Sequence, residues 1–169
     1  MKSVLDDDSG KPILYVGSDA DYAEAAKRGF AVLSACKDGD HGHRSMLNYR
    51  TMGAPKGPAY LHVEQPKHMA LNLIDSDNPE FIPEAAIEAG LRFIHKHVES
   101  GDRVLIHCNA GQSRGPTVAL LFLRSVGELP SSFLASEKVF RSLYPSYQPA
   151  HGVRAFARAS WKKFGQFKY

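Results

Sequence analysis

The sequence predicts an α/β fold, a central, mostly parallel sheet flanked by helices, on three observations. Short apolar runs alternate with stretches of helical periodicity; two of these runs frame a helix as a β-α-β unit; and a buried-looking strand near the middle turns directly into a helix. The first run, Ile13 to Val16, is closed by Gly17 and Ser18, and a helical stretch from about Asp19 to Arg28 follows and stops at Gly29. Phe30 to Cys36 is again apolar and β-compatible, so the two strands are expected as a parallel pair joined by a crossover.

From Lys37 to Pro58 the chain is polar, with Gly39, Gly42, Gly53 and Gly57 and two prolines, which predicts a long surface loop. Tyr60 to Glu64 and Met69 to Ile74 read as two further strands around Gln65-Pro66-Lys67. Ile82, Ala86, Ala89, Phe93 and His97 recur at helical spacing before Gly101 and predict a long amphipathic helix. Arg103 to His107 is a short buried strand, and Thr117 to Val126 is a buried helix stopped by Gly127 and Pro130. Two more helices, about Ser131 to Leu143 and His151 to Phe164, are separated by Tyr144-Pro145-Ser146-Tyr147-Gln148-Pro149. With 169 residues the chain fits one domain, with a core over about residues 12–164 and residues 1–10 expected to be flexible.

Composition narrows the function. A hydrophobic share of 43% with 23% charged residues is that of an ordinary soluble protein, and no apolar run reaches membrane-spanning length. Met1 to Asp8 has no apolar core of a signal peptide, so a cytoplasmic location is expected. The formal charge of +3 is too mild to suggest a nucleic-acid partner, and Arg154, Arg158, Lys162, Lys163 and Lys168 read as a solvated helix face. Cys36 and Cys108 are too few for a disulfide framework or a cysteine metal site, so at least one of them needs a chemical or a packing reason. His41 and His43 sit in a glycine-rich loop and are expected to be exposed rather than to bind a metal; no metal or cofactor is required by the chemistry below.

That chemistry lies in His107-Cys108-Asn109-Ala110-Gly111-Gln112-Ser113-Arg114-Gly115, between a strand and a helix. Such a turn aims several backbone N–H groups and the positive end of a helix at one spot, which suits a dianionic phosphate and favours a thiolate. Cys108 is then the nucleophile. Gly111 allows the tight curvature, Arg114 offers a planar fork for two phosphate oxygens, and Asn109, Ala110, Gly111, Gln112, Ser113 and Arg114 form the substrate cradle. Ser113 can donate a hydrogen bond within the loop and His107 can brace it from behind. Departure of an alkoxide or phenoxide calls for a proton donor from a separate loop, and Asp75 and Asp77 are the candidates. Asp77 or Asn78, just before Pro79 and a helix, also reads as an N-cap.

The string His-Cys-x-Ala-Gly-x-Ser-Arg resembles the phosphate loop of dual-specificity phosphatases within the protein tyrosine phosphatase superfamily. Ile13 to Gly17 with its following helix, Leu71 to Asp77, and Tyr144 to Gly152 are similar to that family's opening strand, acid segment and proline-containing loop. The resemblance implies an enzyme that hydrolyses phosphomonoesters through a phosphocysteine on Cys108, with Asp77 as the acid by its spacing to Phe93-Ile94 and to Cys108. The uncharged Asn109, Ala110 and Gln112 point to phosphotyrosine and phosphoserine/threonine in a protein partner rather than to a polyphosphorylated inositol lipid. A phosphoglucan substrate and a phosphate-binding pseudophosphatase are the alternatives. One departure stands out: the family has Ser or Thr directly after the loop arginine, where this chain has Gly115, with Thr117 two residues on. Because Cys36 and Cys108 both close predicted strands, they are also expected near one another, as a possible redox pair.

Overall fold

Val104–Cys108 (β6) is buried at every position, and that places it: a strand with two apolar faces has neighbours on both sides and helices above and below. In the computed structural model, which describes residues 1–169, β6 lies between Pro12–Ser18 (β2) and Ala31–Ser34 (β3) and runs parallel to both. His68–Leu71 (β5) continues the parallel set beyond β3, while Lys2–Asp6 (β1) and His62–Gln65 (β4) close the two edges antiparallel. The order is β1-β2-β6-β3-β5-β4. The sequence therefore has the parallel β2 and β3 right but not their adjacency, because β6, far away in the chain, inserts between them.

The first ten residues are not a flexible tail. Lys2–Asp6 pairs with β2 and buries Val4, giving a partly twisted edge strand with register shifts around Leu5. A five-residue strand whose charged residues sit at its two ends gives little periodic signal to read.

One face of the sheet carries Tyr22–Lys27 (α1), which packs Ala25 against Phe30, Val32 and Leu105. The other face carries most of the core, with Glu84–Glu99 (α3) and Arg114–Ser125 (α4) supplying Ile87, Leu91 and Ile94 and Val118 to Leu123. Phe133–Leu143 (α5), His151–Ala159 (α6) and Trp161–Phe164 (α7) pack on that side, the predicted last helix being interrupted at Ser160. No helix is long and apolar enough to cross a membrane.

The segment after Cys36 is more structured than a surface loop. It contains the short helix His43–Leu47 (α2), ended by Asn48 at φ 51°, and buried His43 bonds the Ala59 carbonyl (2.7 Å) and the Tyr49 hydroxyl (3.1 Å). His43 is thus a latch for this segment, not an exposed residue. His41 is also packed, stacking on Tyr22. The basic group near the C-terminus is partly paired rather than solvated: Arg154 grips Glu137 bidentately at 2.7 and 2.6 Å, and Lys163 lies between Glu84 and Glu88.

Candidate active site

The loop from Cys108 to Arg114 joins the carboxyl end of β6 to the first residue of α4, beside the carboxyl end of β2, whose chain leaves to α1 on the opposite face of the sheet. That is where an open α/β sheet leaves a crevice for a ligand. Cys108 is the last residue of the strand and is almost fully buried, whereas Asn109, Ala110 and Gln112 are exposed around it.

The loop carbonyls are mostly tied back into the protein. Asn109 O accepts from the Asp19 amide (3.2 Å), Gly111 O from the Tyr144 hydroxyl (2.9 Å), Gln112 O from the Gln148 amide (2.8 Å), and Ser113 O from both the amide and the hydroxyl of Thr117. The amides of Asn109 through Ser113, by contrast, donate to no acceptor in the chain. A run of free N–H groups at a helix N-terminus is an anion cradle, and the outward bonds of the carbonyls keep it shaped before any ligand arrives. Gly111 has φ 68°, and a Cβ there would lie 2.7 Å from the Gly17 carbonyl, so the loop needs glycine at that turn.

Arg114 is aimed by three acceptors. Its Nη1 donates to the Leu73 carbonyl (3.1 Å), its Nη2 to Asn109 Oδ1 (2.8 Å), and its Nε lies 3.8 Å from Asp75 Oδ2. Ser113 Oγ donates to Asp75 Oδ1 at 2.6 Å and accepts from the Ala150 amide at 3.0 Å. Asp75 is therefore docked on the loop itself. Asp77 is exposed, forms no hydrogen bond or ion pair with the loop, and accepts instead from the His151 amide (3.2 Å) in the first turn of α6. Asn78, not Asp77, caps the short turn Pro79–Phe81 by accepting from the Glu80 amide. Gly152 packs directly on the Asp77 backbone.

Gly115 has its own reason. A Cβ at this position would come within 2.9 Å of the His107 carbonyl carbon and 3.1 Å of the Cys108 nitrogen, both backbone atoms. Thr117 does not stand in for a hydroxyl there: it is buried, with its oxygen 2.8 Å from Ser113 O and 3.3 Å from the Tyr147 hydroxyl.

Behind the loop lies a polar cluster the sequence reading left out. Ser34 Oγ sits between His107 Nε2 (2.7 Å) and His68 Nε2 (2.8 Å), and His68 Nδ1 lies 3.4 Å from the Tyr22 hydroxyl. Burial pushes His107 down to about 3 and His68 down to about 4, so both rings are neutral at pH 7. The available signal was Ser34 itself, a hydroxyl inside the otherwise apolar run Ala31-Val32-Leu33. Cys36 is fully buried on the other side of the loop, and burial pushes its thiol up to about 12, with the charge of Arg114 working against that rise.

No sequence-family model matches the chain, and no curated protein matches it. Solved structures do. DUSP15 superposes with a TM-score of 0.62 at 20% identity, over 90% of this chain and 85% of that one. The human tyrosine phosphatase-like serine/threonine/tyrosine-interacting protein gives 0.60 at 15% identity, over 86% and 89%. The chain has the dual-specificity phosphatase fold. PTPMT1, solved in complex with PI(5)P, gives 0.60 at 14% identity over 90% and 92%. In this fold the loop after β6 carries Cys108 and Arg114, and the segments holding Asp75 and Tyr144 bond to it through Ser113 Oγ and the Gly111 carbonyl.

Proposed function

We propose that this protein is a cysteine-dependent phosphatase that hydrolyses phosphomonoesters through a phosphocysteine on Cys108. The observation that carries the reading is the cradle: free amides from Asn109 to Ser113, with Cys108 at its base and the Arg114 guanidinium aimed by Leu73, Asn109 and Asp75.

In the first step Cys108 Sγ forms a bond to phosphorus while the bond to the ester oxygen breaks. The cradle amides and Arg114 take up the charge on the equatorial oxygens. Asp77 gives its proton to the leaving oxygen, for which its carboxyl exchanges the His151 amide for the substrate as the Ser76–Asn78 segment moves. In the second step water attacks phosphorus, the P–S bond breaks, the thiolate departs, and Asp77 receives the water's proton. Asp75 holds Ser113 and Arg114 in place and stays out of the proton transfers.

The exposed loop side chains, Asn109, Ala110 and Gln112, carry no charge. A polyphosphorylated headgroup would find no cation there beyond Arg114, so we take the substrate to be a phosphorylated protein carrying phosphotyrosine or phosphoserine/threonine, encountered in the cytoplasm. Hydrolysis of an aryl phosphate by the wild type and by Cys108→Ser tests the reaction: the variant should be inactive, and equal rates would overturn the reading. A panel of phosphopeptides, phosphoglucan and PI(5)P vesicles tests the substrate class, and preferential turnover of either non-protein substrate would reassign it.

A further inference from the structure

Ser34 has one hydroxyl hydrogen and faces two neutral imidazoles, each through Nε2, at 2.7 and 2.8 Å. It can donate to only one ring and must accept from the other. The two histidines are therefore coupled: when the His107 Nε2 is bare, His68 carries its proton on Nε2, and the reverse. Which arrangement holds is decided at the ends of the chain. On His107 the other nitrogen, Nδ1, is buried 3.7 Å from Asp19 Oδ1, and neither atom has a hydrogen-bond partner. The Cys108 carbonyl also lies close to that ring, short of hydrogen-bond geometry, and Asp21 adds a second negative charge nearby. These oxygens together favour a proton on His107 Nδ1. At the far end His68 meets the Tyr22 hydroxyl, which can donate to its Nδ1; the His41 backbone carbonyl pulls the opposite way, one acceptor against the two oxygens beside His107.

We infer that Tyr22, His68 and Ser34 form a directional hydrogen-bond chain that fixes His107 with its Nδ1–H toward Asp19 and the Cys108 carbonyl, making His68 a positioning residue for the nucleophile. The chain runs Tyr22 O–H to His68 Nδ1, His68 Nε2–H to Ser34 Oγ, and Ser34 O–H to His107 Nε2. Strand register supports it, since Ser34 is paired with His107 across β3 and β6, while His68 is paired with Val32 two residues earlier. The ring that precedes Cys108 is thus oriented from two strands away, by residues that touch neither phosphate nor cradle. If the chain is cut, His107 can take its other tautomer, and a bare nitrogen then faces the Asp19 carboxylate and the Cys108 carbonyl. That repulsion loosens the peptide carrying the thiol. The role given to Cys108 rests on the phosphatase reading; the chain of hydrogen bonds does not.

The direct test is a long-range ¹H–¹⁵N spectrum of the full chain, labelled in its histidine rings, at neutral pH. His107 should appear as the Nδ1–H tautomer and His68 as Nε2–H. In Ser34→Ala, where the rings are uncoupled, His68 should take up the Nδ1–H form that the His41 carbonyl draws, and His107, then held by Asp19 and the Cys108 carbonyl alone, should gain a minor Nε2–H population. His107 found as Nε2–H in the wild type, or neither population changed in Ser34→Ala, would overturn the inference. The functional test is the rate at which iodoacetamide alkylates Cys108 at pH 6.5 without substrate, with Cys108→Ser reporting any contribution from Cys36. His68→Leu should slow it about threefold, the scale of one neutral hydrogen bond, and His68→Gln should restore it because its amide nitrogen can donate to Ser34 as Nε2 does. Equal slowing by Leu and Gln would show a packing role only. Should His68→Leu fail to fold, the spectra of wild type and Ser34→Ala decide alone. Neither measurement needs turnover, so a protein inactive on every phosphoester would refute the enzyme and leave this chain standing.

Discussion

Ser113 and Asp75 meet at 2.6 Å, Oγ to Oδ1, and through that bond two separate loops are fastened to the phosphate cradle: Asp75 also faces Arg114 Nε, and Ser113 also accepts from the Ala150 amide. The proposed mechanism gives the two aspartates of this segment different tasks. Asp75→Ala is expected to lower kcat/KM about tenfold, alike for aryl and alkyl phosphates, because it loosens Arg114 whatever group departs. Asp77→Asn is expected to cost on the order of a hundredfold with alkyl phosphates and much less with an activated aryl phosphate, since proton donation matters most where the departing oxygen is basic. Steady-state kinetics on a series of leaving groups checks both. Reversed leaving-group dependence would move the acid to Asp75.

The family's hydroxyl after the loop arginine suggests Gly115→Ser as a way to stabilise the departing thiolate. The structure points elsewhere. A Cβ at 2.9 Å from the His107 backbone has no flexible side chain to push aside, so the loop or the start of α4 must shift. We expect Gly115→Ser to destabilise the protein by about 1–3 kcal/mol and to lower the burst and the steady phase of aryl phosphate turnover together. Rapid mixing checks this; a faster steady phase with an unchanged burst would show that the serine is accommodated.

The cysteine loop was legible because its chemistry is local: Cys108, Gly111, Ser113 and Arg114 fall within seven consecutive residues between a strand and a helix. The parallel strands were legible from apolar runs, but their order was not, since nothing in Ile13–Cys36 records that Val104–Cys108 inserts between them. The same holds for His68, a lone histidine in sequence that meets Ser34 and Tyr22 only after β5 docks on β3. Asp75 and Asp77 were both visible as candidates, but their division of labour depends on which one reaches Ser113 and which one reaches the start of α6. His43 misled for the opposite reason: its glycine-rich surroundings read as exposed loop, while the fold buries it as the latch of that loop.

A disulfide between Cys36 and oxidised Cys108 meets a physical obstacle. The two residues are near enough for their charges to interact, but Cys36 is fully buried and its thiol is pushed up to about 12. At neutral pH only about one molecule in 10⁵ would carry the Cys36 thiolate that disulfide formation needs. We expect peroxide to abolish activity by oxidising Cys108 without forming a Cys36–Cys108 crosslink. Peptide mapping under non-reducing conditions checks it, and a crosslink that appears as fast as activity is lost would restore the redox pair.

The pH dependence of stability follows from the same buried cluster. His68 and His107 have folded values near 4 and 3, below the ordinary histidine value of about 6.5. Between these limits the unfolded chain binds protons that the folded chain refuses, so stability falls as the pH drops from about 6.5 and the loss levels off only below about 3 to 4. Glu137 acts in a lower window. Its hydrogen bonds to Arg154 hold its carboxyl below the usual range, so its contribution is fully present above the unfolded value of about 4.3 and is lost as pH falls through the folded one. Melting curves should therefore show the midpoint dropping by about 10 °C between pH 6.5 and 5, before Glu137 titrates. In His68→Gln, which has no ring to protonate, that early slope should be visibly shallower, whereas Glu137→Gln should lower the midpoint at pH 7 and leave the slope between pH 6.5 and 5 as it was. A wild-type midpoint that stays level down to pH 5 would mean that the buried rings accept protons in the folded state after all.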